Sequence, residues 1–181
     1  MEETKSNKPK TSGKMWKGIL KYGILIGLGL IIIVLIRFWI NKPIAYPIGY
    51  SEYVSLLIFM FIGGLLYKKG LEESRITFKK SYFMALGSGI IGSIIYGMFI
   101  YLYSQYIDVD FQERCFDIQR AVKANAQLTN EQIKSMVSPS SIALTAILFA
   151  SFMSILWGLV VALFLRNTKK DNKAKEIENL D

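Results

Sequence analysis

Residues 142–165 read IALTAILFASFMSILWGLVVALFL, and this string decides the fold. No charged residue interrupts it, and Ala146, Ala150, Ser154, Gly158 and Ala162 recur at every fourth position. A helix rises about 1.5 Å per residue and a hydrocarbon core is about 30 Å thick, so about 20 apolar residues span it. A helix on the surface of a soluble domain would show a polar face, and this one shows none. Three further runs, 16–40, 50–67 and 82–106, are of the same kind. The second is the shortest, at the low end of the spanning range. Segments 24–36 and 57–66 carry no charge on any face. The first run is too long for a signal-peptide core and no Ala-x-Ala site follows it, so it reads as a retained helix. The expected fold is all-α: an integral membrane four-helix bundle forming one membrane domain over 15–166, with polar tails at 1–14 and 167–181.

The 181 residues carry 22 Lys and Arg against 14 Asp and Glu, a net charge of +8. Nucleic acid is one partner such an excess suggests, but its distribution follows membrane topology instead. Lysine and arginine concentrate on the cytoplasmic side of short loops. Lys5, Lys8, Lys10, Lys14, Lys17 and Lys21 flank the first run. Lys68, Lys69, Arg75, Lys79 and Lys80 fill the second connection, and Arg166, Lys169, Lys170, Lys173 and Lys175 follow the fourth run. The first connection has only Lys42. The third balances Arg114, Arg120, Lys123 and Lys134 against Asp108, Asp110, Glu113, Asp117 and Glu131. Both termini and the second connection are therefore expected in the cytoplasm. Aromatic residues fit belts at the two boundaries: Trp16, Tyr22, Tyr67 and Tyr82 on the inner side, and Trp39, Tyr50, Tyr53, Tyr101, Tyr103 and Tyr106 on the outer. The tails hold too few large apolar residues to offset chain entropy and are expected to be disordered. Basic residues beside the membrane are expected to attract anionic headgroups in general, a reading favoured over a specific lipid site.

The connection 107–141 is the one sizeable extramembrane piece. Phe111, Cys115, Ile118 and Val122 form a helical stripe, with Asp110 placed to cap it. Thr129 and Gln132 have capping-box spacing for a second short helix that carries Ile133 and Val137, and Ser138-Pro139-Ser140 ends it. This extracytoplasmic helical loop either binds a partner or ligand, or is a linker whose stripe rests on the bundle or the lipid interface. The second reading is the commoner use of such a stripe.

Small residues form ridges at four-residue spacing: Ala85, Gly89, Ser93 and Gly97 in the third run, and Ala146, Ala150, Ser154, Gly158 and Ala162 in the fourth. Gly23-x-x-x-Gly27 and Gly63-Gly64 lie in the first two. Such ridges let helix backbones approach closely where lipid supplies no hydrophobic drive. Packing within the bundle is favoured over a substrate path, and homodimerisation is a further use. Arg37 near the end of the first run and Glu52 at the start of the second lie at similar depth once Pro43 and Pro47 turn the chain back. A charge there must pair or reach water. An interfacial ion pair fixing helix register is favoured over a gate or proton-coupled carboxylate. Cys115 is the only cysteine and there is no histidine, so zinc, haem and Cys–His chemistry lack their usual ligands. The acidic residues of 108–117 read as a solvated face, not a metal site. Ser74 and Thr77 are available hydroxyls for phosphate, but both are better read as caps at the start of the third helix.

Several strings in order resemble a bacterial membrane family, domain of unknown function 4199, common in Bacteroidetes. They are Lys21-Tyr22-Gly23, Gly49-Tyr50, Arg75-Ile76-Thr77-Phe78-Lys79-Lys80, Ile94-Ile95-Tyr96 and Asp110-Phe111, within 18–170. Members tend to have Pro where this chain has Val109. The resemblance implies four membrane spans with a long third loop, and it carries over no catalytic residue. The expected role is a non-enzymatic subunit or scaffold of the bacterial inner membrane, with no cofactor. Its partners would be the bilayer and a membrane protein or a second copy of the chain. The alternatives are a small transporter, as a single chain or a dimer, using Glu52 as coupling carboxylate, and a membrane enzyme, for which no nucleophile sits beside a base.

Overall fold

The computed structural model describes residues 11–40, 49–71, 76–122, 125 and 127–166, with the side chains of 11–14 and 50 left aside. The expected tail disorder at 1–10 and 167–181, the proline turn with Pro43 and Pro47, and Ser74 lie outside the described residues. Six α-helices are described: α1 Thr11–Trp39, α2 Tyr50–Lys69, α3 Phe78–Leu102, α4 Phe111–Ala121, α5 Asn130–Met136 and α6 Pro139–Leu165. A π-helical turn, Tyr103–Ile107, extends α3. Among the described residues, four helices are long and apolar enough to cross a membrane. An all-α bundle with a helical third loop is thus what the four apolar runs build. Helix α1 starts earlier than the apolar run, so Thr11–Lys14, assigned to the tail from sequence, belong to the helix.

The caps follow from side-chain chemistry. Thr77 accepts the Lys80 N–H at 3.4 Å and opens α3. Thr129 and Gln132 form a reciprocal box: Gln132 Oε1 accepts the Thr129 N–H at 2.8 Å, and Thr129 Oγ1 accepts the Gln132 N–H at 3.3 Å. Ser138 accepts from Ser141 N–H and Pro139 takes the first turn of α6, where no N–H is needed. The expected cap of α4 differs. Asp110 stands at the N-cap position but makes no capping bond, because its backbone is already right-handed helical (φ −84°, ψ −4°) instead of extended.

Helices α1 and α3 run one way, α2 and α6 the other. Arg37 meets Glu52 and Phe38 meets Tyr103 at one end; Tyr22 meets Tyr67, and Lys68 meets Leu165, at the other. The first will be called the cap end, because α4 and α5 cover it, and the second the basic end. Helix α3 packs most extensively on α6 and then on α1, while α2 fills the remaining corner against both α6 and α1.

The small-residue ridges lie in these seams. Ala85, Gly89, Ser93 and Gly97 are buried, as are Ala146, Ala150, Ser154, Gly158 and Ala162. A Cβ placed on Gly89 would sit 2.5 Å from Ser154 Oγ, and one on Gly97 would collide with Ile147 and lie 3.1 Å from the Ala143 carbonyl. The α1–α3 seam is equally close: a Cβ on Gly92 would lie 2.7 Å from Ile26 and 3.2 Å from the Gly23 carbonyl. The buried hydroxyls of Ser88, Ser93 and Ser154 donate to carbonyls of their own helices, Ala85, Gly89 and Ala150. They act as small fillers there, not as bridges between helices.

Large apolar side chains cover the outside: Leu28, Ile32, Ile58, Phe83, Met98, Leu148, Phe152 and Phe164 are among those exposed. That is the surface lipid requires. The aromatic belts need correction. Trp16, Trp39 and Tyr106 are exposed near the helix ends, but Tyr22, Tyr67 and Tyr103 are buried. Tyr22 and Tyr67 pack edge to face at 6.4 Å. At the right depth for an interface, these three rings face the bundle because they stand on its inward rows.

Candidate functional site: a double ion-pair cluster at the cap end

Arg37 is in the last turn of α1 and Glu52 in the first turn of α2. Glu52 is 2% exposed. Its Oε1 accepts from Arg37 Nη1 at 2.9 Å, and its Oε2 accepts from the Gly49 N–H at 2.8 Å and the Ser51 hydroxyl at 2.9 Å. Arg37 Nη1 also donates to Ser51 Oγ at 2.7 Å. The N-terminal dipole of α2 adds to the favourable field. Each carboxylate oxygen is thus occupied, and the arginine, 31% exposed, keeps contact with the surface. Buried Tyr96 lies within electrostatic reach of Glu52 and Arg37.

A second pair stands beside the first. Asp108, which follows the π-helical turn, is buried, and its Oδ2 accepts from the Tyr103 hydroxyl at 2.6 Å and from Arg114 Nη2 on α4. The π turn makes this meeting possible: Asp108 N–H donates to Tyr103 O at 2.9 Å, which folds residue 108 back over residue 103. The Tyr103 ring is the hub. It lies 5.9 Å from Phe38 of α1, 5.8 Å from Phe99 and 5.5 Å from Phe111 of α4. Arg114 sits 5.9 Å over the Phe111 ring. Burial works against the Arg114 charge, but the bond to Asp108 outweighs it and holds the guanidinium above its ordinary pKa. The cap is therefore tied to the bundle by a charged contact, by an aromatic one and by the Gln112 amide, which donates to the Ser104 carbonyl at 3.4 Å.

Sequence reasoning assigned Asp108 to a solvated acidic face and Tyr103 to a lipid belt; both are buried partners in this cluster. Asp110, Glu113 and Asp117 are exposed, as that reading expects. The stripe on α4 divides: Phe111 and Cys115 are buried, whereas Ile118 and Val122 are exposed, so the half nearest the bundle rests on it. Among the described residues no group of three or more metal-ligating side chains occurs. The remaining site residues, Gly89, Ser93, Gly97, Ala150, Ser154 and Gly158, lie in or beside the α3–α6 seam, away from this cluster.

A family profile described as "Protein of unknown function (DUF4199)" matches residues 21–167. The chain belongs to the DUF4199 family. The match takes in most of α1, the whole of α2 to α6 and all four ion-pair residues. No curated protein and no solved structure matches this DUF4199 chain. Val109, where the resemblance implies a proline, is exposed in the turn before α4.

Two predictions arise here. Asp108→Asn weakens the charged half of the Arg114 contact and is expected to raise hydrogen exchange across α4 severalfold, leaving α3 and α6 unchanged. Protection across α4 equal to wild type would show that the cap holds without the charged contact. Burial, helped by Asp108 and opposed by Arg114, pushes the Cys115 thiol from 9.0 up to about 12. The folded thiol thus keeps its proton in the range where an unfolded one loses it. Its contribution to stability is whole below the unfolded pKa and is lost as pH rises toward about 12. Maleimide labelling of the native protein at pH 8 is expected to be at least tenfold slower than after denaturation. Equal rates would place the thiol at the surface.

Proposed function

We propose that the chain is a non-enzymatic membrane subunit or scaffold, held rigid at its cap end, that presents α4 and α5 to a membrane protein partner or to a second copy. The observation that carries this reading is the state of Glu52: buried, bonded at both oxygens and facing an arginine. A coupling carboxylate must exchange protons or substrate with water, and a carboxylate so occupied serves instead to fix α1 against α2. The grooves on the bundle, one lined by Leu57, Phe61, Val160 and Phe164 and another by Ile32, Ile36, Trp39 and Ile107, are apolar and suit lipid, not a hydrophilic cargo.

The lysine distribution supports a bacterial inner membrane orientation with both termini and the basic end in the cytoplasm and the cap outside. Reporter fusions at either terminus are expected to be fluorescent as green fluorescent protein and inactive as alkaline phosphatase; the reverse at either end would refute the orientation. The role itself is tested by crosslinking in mild detergent. A stoichiometric partner, or second copy, joined through exposed residues of α4 or α5 such as Asp117 and Lys134 supports it. Substrate turnover or solute flux by the purified protein alone would defeat it.

A further inference from the structure

Helix α2 carries two lipid-side rows that both end in lysine. Leu57, Phe61, Leu65 and Lys68 form one, and Ile58, Ile62, Leu66 and Lys69 the other, at the three- and four-residue spacing of a single helix face. Opposite them stand Val160 and Phe164 of α6. Between the helices runs a groove of about 300 Å³ lined by Leu57, Ile58, Phe61, Ile62, Val160 and Phe164. Beside it the missing side chain of Gly64 lets Leu165 and Val161 close on α2, and the rings of Phe61 and Phe164, 6.3 Å apart, form walls of the groove. The groove opens to the hydrocarbon, since Ile58, Ile62 and Phe164 are exposed.

At the basic end of this groove the chemistry changes. From Phe61 to Lys68 is about 10 Å of helix, the reach from the upper acyl chain to the headgroup level. Lys68 Nζ donates to the Leu165 carbonyl at 2.9 Å, which neutralises the negative end of α6 and fixes the ammonium over the seam. Lys69 is its neighbour in the chain, and Arg166 follows the carbonyl it bonds; both are exposed. No carboxylate among the described residues pairs with any of the three. Among the described residues this cationic cluster favours a headgroup of net negative charge over a neutral one.

We infer that the α2–α6 seam is a binding site for one anionic phospholipid, with an acyl chain in the groove and the phosphate on Lys68, Lys69 and Arg166. The site is independent of the scaffold role and of which leaflet the basic end occupies.

Native mass spectrometry of the full chain in mild detergent, titrated with phosphatidylglycerol or phosphatidylcholine, tests it. Phosphatidylglycerol is expected to bind more tightly, and Lys68→Gln/Lys69→Gln to weaken it by about fivefold per lost cation. The control Lys79→Gln/Lys80→Gln, equal in charge but on α3, should leave binding near wild type. Lys69→Gln alone removes no described bond, so its fivefold loss remains readable if the double variant does not fold. A phosphatidylglycerol bearing a diazirine in its acyl chain should label Phe61, Val160 or Phe164. Equal affinity for the two lipids, equal loss in the α3 control, or labelling confined to the groove at Ile32 and Trp39 would each overturn the assignment.

Discussion

Gly89→Leu is expected to abolish recovery of folded protein. The Cβ alone would stand 2.5 Å from Ser154 Oγ and 2.7 Å from Ser154 Cβ, both on a helix fixed along its whole length against α3. Neither helix can yield locally, because Gly97 further along the same seam is as tightly opposed by Ile147 and the Ala143 carbonyl. Overpacking by a single methylene group typically costs 1–3 kcal/mol, and leucine adds several, so α3 and α6 must part. In lipid no hydrophobic drive would bring them back together, since the separated faces are as well solvated by acyl chains as by each other. Gly89→Ala is the graded version, with an expected loss of about 2 kcal/mol. Ser154→Gly should recover part of it, because the two positions share one space and their effects are coupled. Gly70→Ala is the control: its Cβ would meet only carbonyl oxygens, at 3.5 Å or beyond, and its stability should stay within about 0.5 kcal/mol of wild type. Monodispersity on gel filtration and thermal unfolding in detergent read all four. A stable Gly89→Leu protein would mean that the seam is looser than the geometry shows.

The four-residue spacing that identifies this seam is visible in the chain because it is a property of helices alone. Any residues four apart share a face, whatever surrounds them. The four spans were legible for the same reason: length and apolarity decide a membrane helix without reference to its neighbours. The approach of Arg37 to Glu52 follows from one further step, the antiparallel return of α2. What the sequence does not display is whatever depends on a departure from regular geometry. The π turn at Tyr103–Ile107 shifts the helical register, so Asp108 arrives over Tyr103 and faces inward, where a continued α-helix would have pointed it elsewhere. Tyr22 and Tyr67 show a second limit. Their depth is readable, but whether a ring at that depth faces lipid or bundle is set by the rotation of each helix, which depends on the packing of the other three.

Arg37→Leu is expected to destabilise the protein more than Glu52→Gln, although each removes one member of the same pair. The two partners are not equally placed. Glu52 is 2% exposed, whereas the Arg37 side chain is 31% exposed. Loss of the arginine strands a buried carboxylate whose other partners among the described residues are neutral donors, the Gly49 N–H and the Ser51 hydroxyl. Breaking a buried pair in this way costs about 3–5 kcal/mol, and the partial exposure here brings the expected loss to about 2–4 kcal/mol. In Glu52→Gln the amide oxygen can still accept from Gly49, and Arg37 can turn its guanidinium toward the interface along its own aliphatic stem. The expected loss is about 1–2 kcal/mol, the scale of a hydrogen bond to a charged group. The double variant Arg37→Leu/Glu52→Gln should then be more stable than Arg37→Leu alone, because the second change removes the charge that the first left uncompensated. Unfolding by denaturing detergent, followed by helix content, measures the cycle. The same variants separate the two readings of Glu52. If the pair fixes the register of α1 against α2, function in cells should follow stability, with Arg37→Leu the more damaging. If Glu52 were a coupling carboxylate, Glu52→Gln would abolish activity while leaving a well-folded protein, and the double variant would be inactive however stable.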